Sequence, residues 1–224
     1  MPAAPPVQSP RLISGLFAPA AVWKAWGVKK WLLVVVFAVM VWWWLQPAPA
    51  AAWSGRPAAA VPLQTDANLP APWTRGEFRF QPLARFAVRA VVLSRERYRY
   101  DPEAKLAPVD LALGWGRMSE AAAINALRIS QDHRWYNYAW WGEPPLPPAE
   151  IVRSSANMHL IPADDIVRAA LLEVPRHEVV EFTGYLVEIR RTDGWTWRSS
   201  LSREDTGGHA CEVVWVERLT HRKP

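Results

Sequence analysis

A run of fifteen apolar residues near the N-terminus, residues 31–45 (WLLVVVFAVMVWWWL), is the feature that most limits what this chain can fold into. Lys29 and Lys30 come directly before the run, and a tract rich in alanine and proline follows it. Such a run is typical of a helix in a bilayer or of the hydrophobic region of a secretory signal. We therefore expect the long segment after the run to fold as a separate domain.

The run allows two interpretations. It is short for a membrane span, which needs about 20 apolar residues, and the small residues at positions 48–50 and 50–52 fit a signal-peptide cleavage site. Alternatively, residues 29–46 form an uncleaved signal-anchor. Consecutive tryptophans, such as those at positions 42–44, prefer the headgroup region of a membrane, which favours the anchor.

The charges before the run predict an orientation. Four basic residues and no acidic residue precede it, and positively charged flanks stay in the cytoplasm. We therefore expect a cytoplasmic N-terminal extension (residues 1–28), a single pass through the inner membrane (residues 29–46), and a C-terminal domain that is periplasmic or extracellular.

The net charge of +5 and the pI near 9.7 suggest at first a protein that binds nucleic acid. However, residues 1–75 carry six basic residues and one acidic residue, so residues 76–224 hold 20 of each and are neutral overall. The positive excess therefore accompanies the apolar run and does not form a surface for phosphates. This distribution argues against nucleic acid as a partner.

The composition changes again after the apolar run. Residues 47–75 contain six prolines among many alanines, which predicts a semi-rigid linker. Residues 76–220 have the usual length of one domain, and we expect them to form a soluble extracytoplasmic domain.

The apolar patterns of that domain predict an α+β fold. After the N-terminal transmembrane helix we expect a mostly antiparallel curved sheet or a small OB-like barrel with two or three short helices. Asp193 and Gly194, between two apolar runs, are a strong hairpin signal, and residues 108–113 are expected to form a helical turn. The expected strands are residues 83–93, 127–130, 134–141, 178–190, 194–200 and 209–218, and the expected helices are residues 119–127, 149–154 and 164–174.

Four segments carry a resemblance. They are DLALGWG (residues 110–116), SSANMHLIPAD (154–164), GYLV (184–187) and SSLSREDTGGHACE (199–212). Together they resemble an uncharacterised family of short bacterial membrane-anchored or secreted proteins, over about residues 80–219. That family has no established activity, so the resemblance implies a bacterial envelope setting and assigns no catalytic residue.

Cys211 is the only cysteine of the sequence, so no disulfide within the chain stabilises the fold. A thiol nucleophile needs a base to take its proton and a third group to orient that base. His159 and Asn157 are two residues apart and share one face of an extended segment, so they provide such groups if the fold brings them to Cys211. The alternative is that Cys211 is a small buried hydrophobic residue and His159 a structural histidine.

Several polar and aromatic residues are candidates for a binding groove, because tryptophans that are neighbours on a strand cannot all point into the core. The histidines lack the spacing of a zinc site, and no nucleotide or phosphate fingerprint is present, so neither a metal nor a cofactor is expected. The candidate groove residues are Trp115, Asn157, His159, Ser200, Arg203, Asp205 and His209.

These observations predict a membrane-tethered extracytoplasmic binding or accessory module of the bacterial envelope, with an unknown ligand. Its expected partners are the inner membrane and another envelope protein or a cell-wall component. The alternative function is a cysteine-dependent hydrolase or transferase that uses Cys211, His159 and Asn157.

Overall fold

The chain divides into two compact units, Met1–Ala51 and Ala52–Pro224. The computed structural model describes residues 21–45, 53–55 and 57–222, and within the first helix it describes the side chains of residues 30–42. That helix, α1, spans Ala21–Leu45. Within the described residues, no helix combines the length and hydropathy that a membrane crossing requires. Residues 1–20 of the expected extension and Gln46 of the expected anchor lie outside the described residues, so the anchor stays a prediction.

The second unit is an α+β domain with a mostly antiparallel sheet, which confirms the predicted fold class at that level. Its helices are short, since the longest has nine residues. They are α2 (Ala121–Ala126), α3 (Pro148–Arg153) and α4 (Asp165–Glu173), with 3-10 turns at Pro102–Lys105 and Gly116–Ser119. The strands are β1 (Leu63–Thr65), β2 (Trp73–Arg75), β3 (Phe78–Arg97), β4 (Val109–Gly114), β5 (Arg128–Asp132), β6 (Trp135–Ala139), β7 (Ser155–Pro162), β8 (Val179–Arg191), β9 (Thr196–Arg198) and β10 (Glu212–Arg222).

The main sheet is organised around the long strand β3. Strand β3 pairs with β4 and also with β8, while β4 pairs with β7, β7 with β10, and β10 with β8. The pairings therefore run in a cycle through five strands and return to β3. Strands β7 and β10 are parallel, and β5 and β6 form a separate hairpin.

Strand β3 serves two neighbours because its register shifts twice. One shift lies between Pro82 and Ala84, where proline cannot donate to the ladder, and the other lies between Val92 and Ser94. Bulges bend a strand and increase its twist. The first part of β3 therefore pairs with β8, and its last part pairs with β4.

The core fills the space between these strands. Phe86, Phe182, Leu111 and Leu160 belong to one buried cluster, which α4 joins through its apolar face. Asp164 precedes α4 and caps it, since its side chain accepts a hydrogen bond from the backbone N–H of Val167 at 2.8 Å. The predicted helix start at this aspartate is confirmed.

Residues 47–75 were expected to form a linker. In the described part of this stretch, the structure differs from that prediction. Trp53 is buried, with 2% of its surface exposed, and Ala58 is fully buried in the same cluster. Strands β1 and β2, which also lie in this stretch, pair with β3. Proline and alanine content predicted a spacer, but Trp53 and Ala58 pack in the core of the domain, while Val61 and Leu63 stay exposed.

Two local predictions were also wrong. The helical turn expected over residues 108–113 is not formed, because residues 109–113 belong to the buried strand β4. The helix expected over residues 119–127 begins only at Ala121, and the hydroxyl of Ser119 binds the backbone of Ala58 and Gly116. In both places contacts with distant parts of the chain outweigh the local preference.

Candidate functional site

Three neighbouring strands of the sheet carry the polar centre of the domain. On β4 and β7, Asp110 lies directly opposite His159. On the other side of β7, His159 lies opposite Val213 of β10. Cys211 comes two residues before Val213 and immediately before β10 begins, so it lies beside Asn157 and on the same side as His159.

Asp110 and His159 form a buried pair. Nδ1 of His159 lies 2.8 Å from Oδ2 of Asp110, and neither side chain is more than 5% exposed. The other oxygen of Asp110, Oδ1, accepts a hydrogen bond from Arg134 at 3.0 Å. Asp110 therefore fixes the orientation of the imidazole while Arg134 balances its charge.

Arg134 is itself held firmly in the hairpin turn between β5 and β6. Its guanidinium also donates to Asp101 at 2.7 Å and to the carbonyl of Ala107 at 3.1 Å. It stacks over the ring of Tyr98, with 4.0 Å between the guanidinium carbon and the ring centre. The hairpin thus supplies a cation to a carboxylate that is fully buried.

His159 also interacts with Cys211. Burial lowers the pKa of His159, but hydrogen bonds with Asp110 and Cys211 outweigh burial and raise this pKa to about 9. The ring of Trp197 packs against the imidazole, with 4.9 Å between the ring centres. At neutral pH His159 is therefore an imidazolium placed between a carboxylate and a thiol.

Asn157 completes the surroundings of the thiol. Its amide nitrogen donates to the carbonyl of Arg134 at 2.9 Å and lies 3.9 Å from Sγ of Cys211. Its amide oxygen accepts a hydrogen bond from Gln131 at 2.6 Å. Asn157 therefore connects the hairpin to Cys211.

Cys211 is half-buried and lies between two clefts. The main cleft has a volume of about 360 Å³, and its wall includes Trp115, Asn157 and Tyr138. The second cleft, of about 340 Å³, includes His159 and Trp197. Both clefts are lined by Trp135, Gly207 and Cys211, and their volumes are in the range of small-molecule sites.

The loop before β10 forms one wall of the main cleft. Arg203 and Asp205 line the cleft, and Ser200 donates a hydrogen bond to Asp205 at 2.6 Å. The guanidinium of Arg203 donates to the side chain of Gln64 at 3.1 Å and to the carbonyl of Pro62 at 3.3 Å. Residues of the expected linker therefore hold this loop in place.

Glu212 lies next to Cys211 and also lines the main cleft. The side chain is buried, and among the described residues its Oε2 has no hydrogen-bond partner. Burial raises the pKa of Glu212 to about 8. The carboxyl is therefore mostly neutral at pH 7.

The structure brings together most of the residues that the sequence singled out. Cys211, His159 and Asn157 meet, and Trp115, Arg203 and Asp205 line the main cleft beside them. The predicted groove residue His209 lines the second cleft. Ser200 lines neither of these clefts and acts on the loop through Asp205.

Sequence reasoning gave no role to Asp110 or Arg134, and it left Glu212 out of the candidate site although this residue ends the polar segment SSLSREDTGGHACE. Asp110 was assigned to a helical turn, which hid the alternation that places it opposite His159. Arg134 lies in a turn, where an arginine usually faces solvent. An acidic residue directly before an apolar run, as in EVVWV, was the available signal for Glu212.

Within the part of the chain that the structure describes, no group of three or more histidine, cysteine or acidic side chains is placed to hold a metal ion. Comparison with protein families, with curated proteins and with solved structures finds no match to this chain. The geometry of the site is therefore the basis for assigning a function to this chain.

Proposed function

We propose that this protein is a cysteine-dependent hydrolase or transferase that acts on an acyl group. The observation that carries the proposal is that His159 lies between Cys211 and Asp110 on neighbouring strands. The carboxylate of Asp110 binds Nδ1 of the imidazole, and Cys211 interacts with the same ring. In nucleophilic enzymes the base faces the nucleophile with one nitrogen and an orienting carboxylate with the other. The cleft beside Cys211 provides space for a substrate.

In this mechanism Cys211 reacts as the thiolate, and the imidazolium of His159 beside it already carries the proton. An adjacent imidazolium favours the thiolate form of a cysteine, and Asp110 stabilises the imidazolium from the other side. The thiolate then adds to the acyl carbon, and His159 returns the proton to the leaving group. Water or a second acceptor releases the acyl group from Cys211.

We place this activity in the bacterial envelope, as a domain tethered to the inner membrane. The basic residues before the apolar run and the tryptophans at positions 42–44 support this placement. The resemblance of four segments to envelope proteins agrees with it. The cyclic strand pairing of the domain supports a small barrel of the OB-like kind.

Alkylation of the single cysteine tests the proposed function. The full chain is treated with iodoacetamide between pH 6 and pH 9, and intact mass reports the modification of Cys211 alone. We expect alkylation at pH 6.5 to be faster than for free cysteine, because the His159 imidazolium lies beside the sulfur of Cys211. His159→Gln should remove most of this advantage, and Asp110→Asn should remove part of it.

The matched control is His133→Gln, since His133 is exposed and lies outside the network. This variant should alkylate at the wild-type rate. An inert thiol in the folded protein, or equal rates in His159→Gln and wild type, would contradict the proposal.

A second candidate is a non-catalytic binding or accessory module whose partner is an envelope protein or a cell-wall component. The exposed indoles of Trp135 and Trp141, in and directly after the β5–β6 hairpin, favour it, because aromatic side chains in clefts and at rims commonly bind ligands. If the protein is a binding module, Cys211→Ser should bind its partner as wild type does. If it is the proposed enzyme, the same variant should lose its activity.

A further inference from the structure

The sulfur of Cys211 has a different neighbour towards each of the two clefts that Cys211 lines. Nδ2 of Asn157, a residue of the main cleft, lies 3.9 Å from Sγ. The imidazole of His159, a residue of the second cleft, interacts with the same thiol. The three side chains share one face of the sheet, because Asn157 and His159 are two residues apart on β7 and Cys211 lies beside Asn157. A group bonded to Sγ can therefore extend into both clefts.

The proton on His159 decides which half of a substrate enters which cleft. Nδ1 of the imidazole is bound to Asp110, so Nε2 is the nitrogen that can give a proton to a leaving group. The side chain of His159 is 5% exposed, and the cleft that it lines is the second one. Proton transfer requires hydrogen-bond reach between donor and acceptor. The leaving group therefore lies in the second cleft, and the main cleft beside Asn157 is left for the acyl group.

The walls of the two clefts indicate the chemistry of each half. The second cleft is lined by Trp195 and Trp197, whose rings meet edge to face with 6.0 Å between their centres. Indole walls of this kind favour a flat aromatic group. The main cleft is lined by Tyr138 and by Val152 of α3, which are both half-buried. These side chains leave apolar surface in the main cleft, and an apolar acyl chain would cover it.

We propose that the substrate is an ester, thioester or amide in two parts, with an apolar acyl group in the main cleft and an aromatic leaving group against Trp195 and Trp197 in the second cleft. This inference rests on the proposed function and names the substrate class of the same site. The acceptor that releases the acyl group also enters through the second cleft, because it gives its proton to His159.

The two half-reactions balance in this arrangement. The thiolate of Cys211 forms a bond to the carbonyl carbon, the bond from that carbon to the leaving group breaks, and the leaving group takes the proton from Nε2 of His159. An acyl thioester and a neutral imidazole remain. Water or another acceptor then replaces the leaving group in the second cleft, gives a proton to Nε2 and bonds to the acyl carbon. The C–S bond breaks, which restores the thiolate and the imidazolium.

Two pairs of probes test the assignment with the full chain. p-Nitrophenyl acetate and p-nitrophenyl hexanoate share a leaving group, whereas S-phenyl and S-ethyl thioacetate share an acyl group. Intact mass measures the rate of Cys211 acylation in the first turnover, and each rate is divided by that of N-acetylcysteine with the same probe. Wild type should favour the hexanoate by about tenfold, because the main cleft buries its extra methylenes. It should favour the S-phenyl thioester by about fivefold, because the indoles contact the ring.

Two variants should change these preferences separately. Val152→Trp narrows the main cleft and should abolish the preference for the hexanoate, while the ratio of the two thioesters stays within about twofold of wild type. Trp195→Ala removes an indole from the second cleft and should abolish the preference for the S-phenyl thioester, with the hexanoate preference kept. Each variant is the control for the other. Thr206→Trp, at an exposed residue of the main cleft, should repeat the result of Val152→Trp without a change in α3.

The outcomes distinguish the two proposals. If no probe acylates Cys211 faster than N-acetylcysteine, the proposed function and the cleft assignment are both wrong. If acylation is fast but wild type shows neither preference, the thiol enzyme stands and the cleft assignment is wrong. The same holds if the main-cleft variants change the thioester ratio, or if Trp195→Ala changes the ratio of the p-nitrophenyl esters. Wild-type rates of alkylation by iodoacetamide in the variants show that the site around the thiol is intact.

Discussion

Asp110 and His159 are polar side chains in a place where the strands around them are apolar. Taking two charges out of water costs several kcal/mol for each ion unless hydrogen bonds and partner charges compensate it. Here Arg134 and His159 engage both oxygens of Asp110, so the pair is satisfied. Removing one member alone would leave a buried charge, which is why substitutions at Asp110 and His159 should affect stability as well as chemistry.

The raised pKa of His159 gives a pH-dependent stability. The pKa rises from 6.5 to about 9 on folding, so the folded state binds more protons between these values. The stabilisation is complete below about pH 6.5 and is lost as the pH rises through about 9, which amounts to roughly 3 kcal/mol. Urea unfolding of wild type from pH 6 to pH 9.5 should show this loss.

His159→Gln should lose much less stability over the same pH range, and His133→Gln should follow wild type. The carboxyl of Glu212 also titrates in this range. Wild type and both variants contain Glu212, so its contribution is common to the three curves. Parallel curves for wild type and His159→Gln would mean that His159 gains no proton on folding.

At the scale of elements, close packing of β8 on β10 depends on Gly184. A Cβ built on this residue would lie 1.8 Å from the carbonyl oxygen of Trp215, a backbone atom that cannot rotate away. The two strands pair at this point, with Gly184 opposite Val216. Only glycine allows this approach, which keeps β10 and its neighbour Cys211 at the edge of the cleft.

Gly184→Ala should therefore lower the free energy of unfolding by about 3 kcal/mol or more, because overpacking a rigid contact displaces the backbone. Chemical denaturation measures the change. Gly208→Ala is the matched control, since nothing lies within 4 Å of its Cβ position, and it should change stability by at most about 0.5 kcal/mol. Equal stabilities for the two variants would contradict the close approach.

The local sequence of strand β4 does not reveal that this element carries a residue of the site. Its sequence VDLALG is rich in leucine and alanine, which favour helices. All six residues are buried between β3 and β7, so pairing on both sides outweighs that preference. Once the segment is a strand, Asp110 must lie opposite a residue of β7, and the register makes that residue His159.

At the scale of the C-terminal unit, the described residues from Trp53 to Arg75 include parts that belong to the fold. The amide of Asn125 binds the backbone of Trp53 in both directions, at 2.9 and 3.0 Å. The indole of Trp53 donates to the carbonyl of Ser119 at 2.9 Å. Further along, Gln64 and Pro62 hold Arg203 in the wall of the main cleft. The segment thus stabilises the core and the site together.

Trp53→Ala should lower the free energy of unfolding of the full chain by about 3–5 kcal/mol, because it removes a large buried aromatic side chain. Denaturation followed by circular dichroism measures this. Trp141→Ala, at a tryptophan that is 75% exposed, should cost at most about 0.5 kcal/mol. A spacer that does not pack would make both substitutions equally mild.

The sequence alone determined the α+β class, the hairpin at Gly194, helix α4 with its cap at Asp164, and Cys211, His159 and Asn157 as candidates. These follow from local patterns, since apolar periodicity, turn residues and capping residues act over a few positions. The tertiary structure decided that Trp53, Ala58 and strands β1 and β2 pack on the domain, that 109–114 is a strand, and that Asp110 binds both His159 and Arg134. Those features depend on pairing between strands that are far apart in the chain. The register between such strands cannot be derived from the sequence of any one segment.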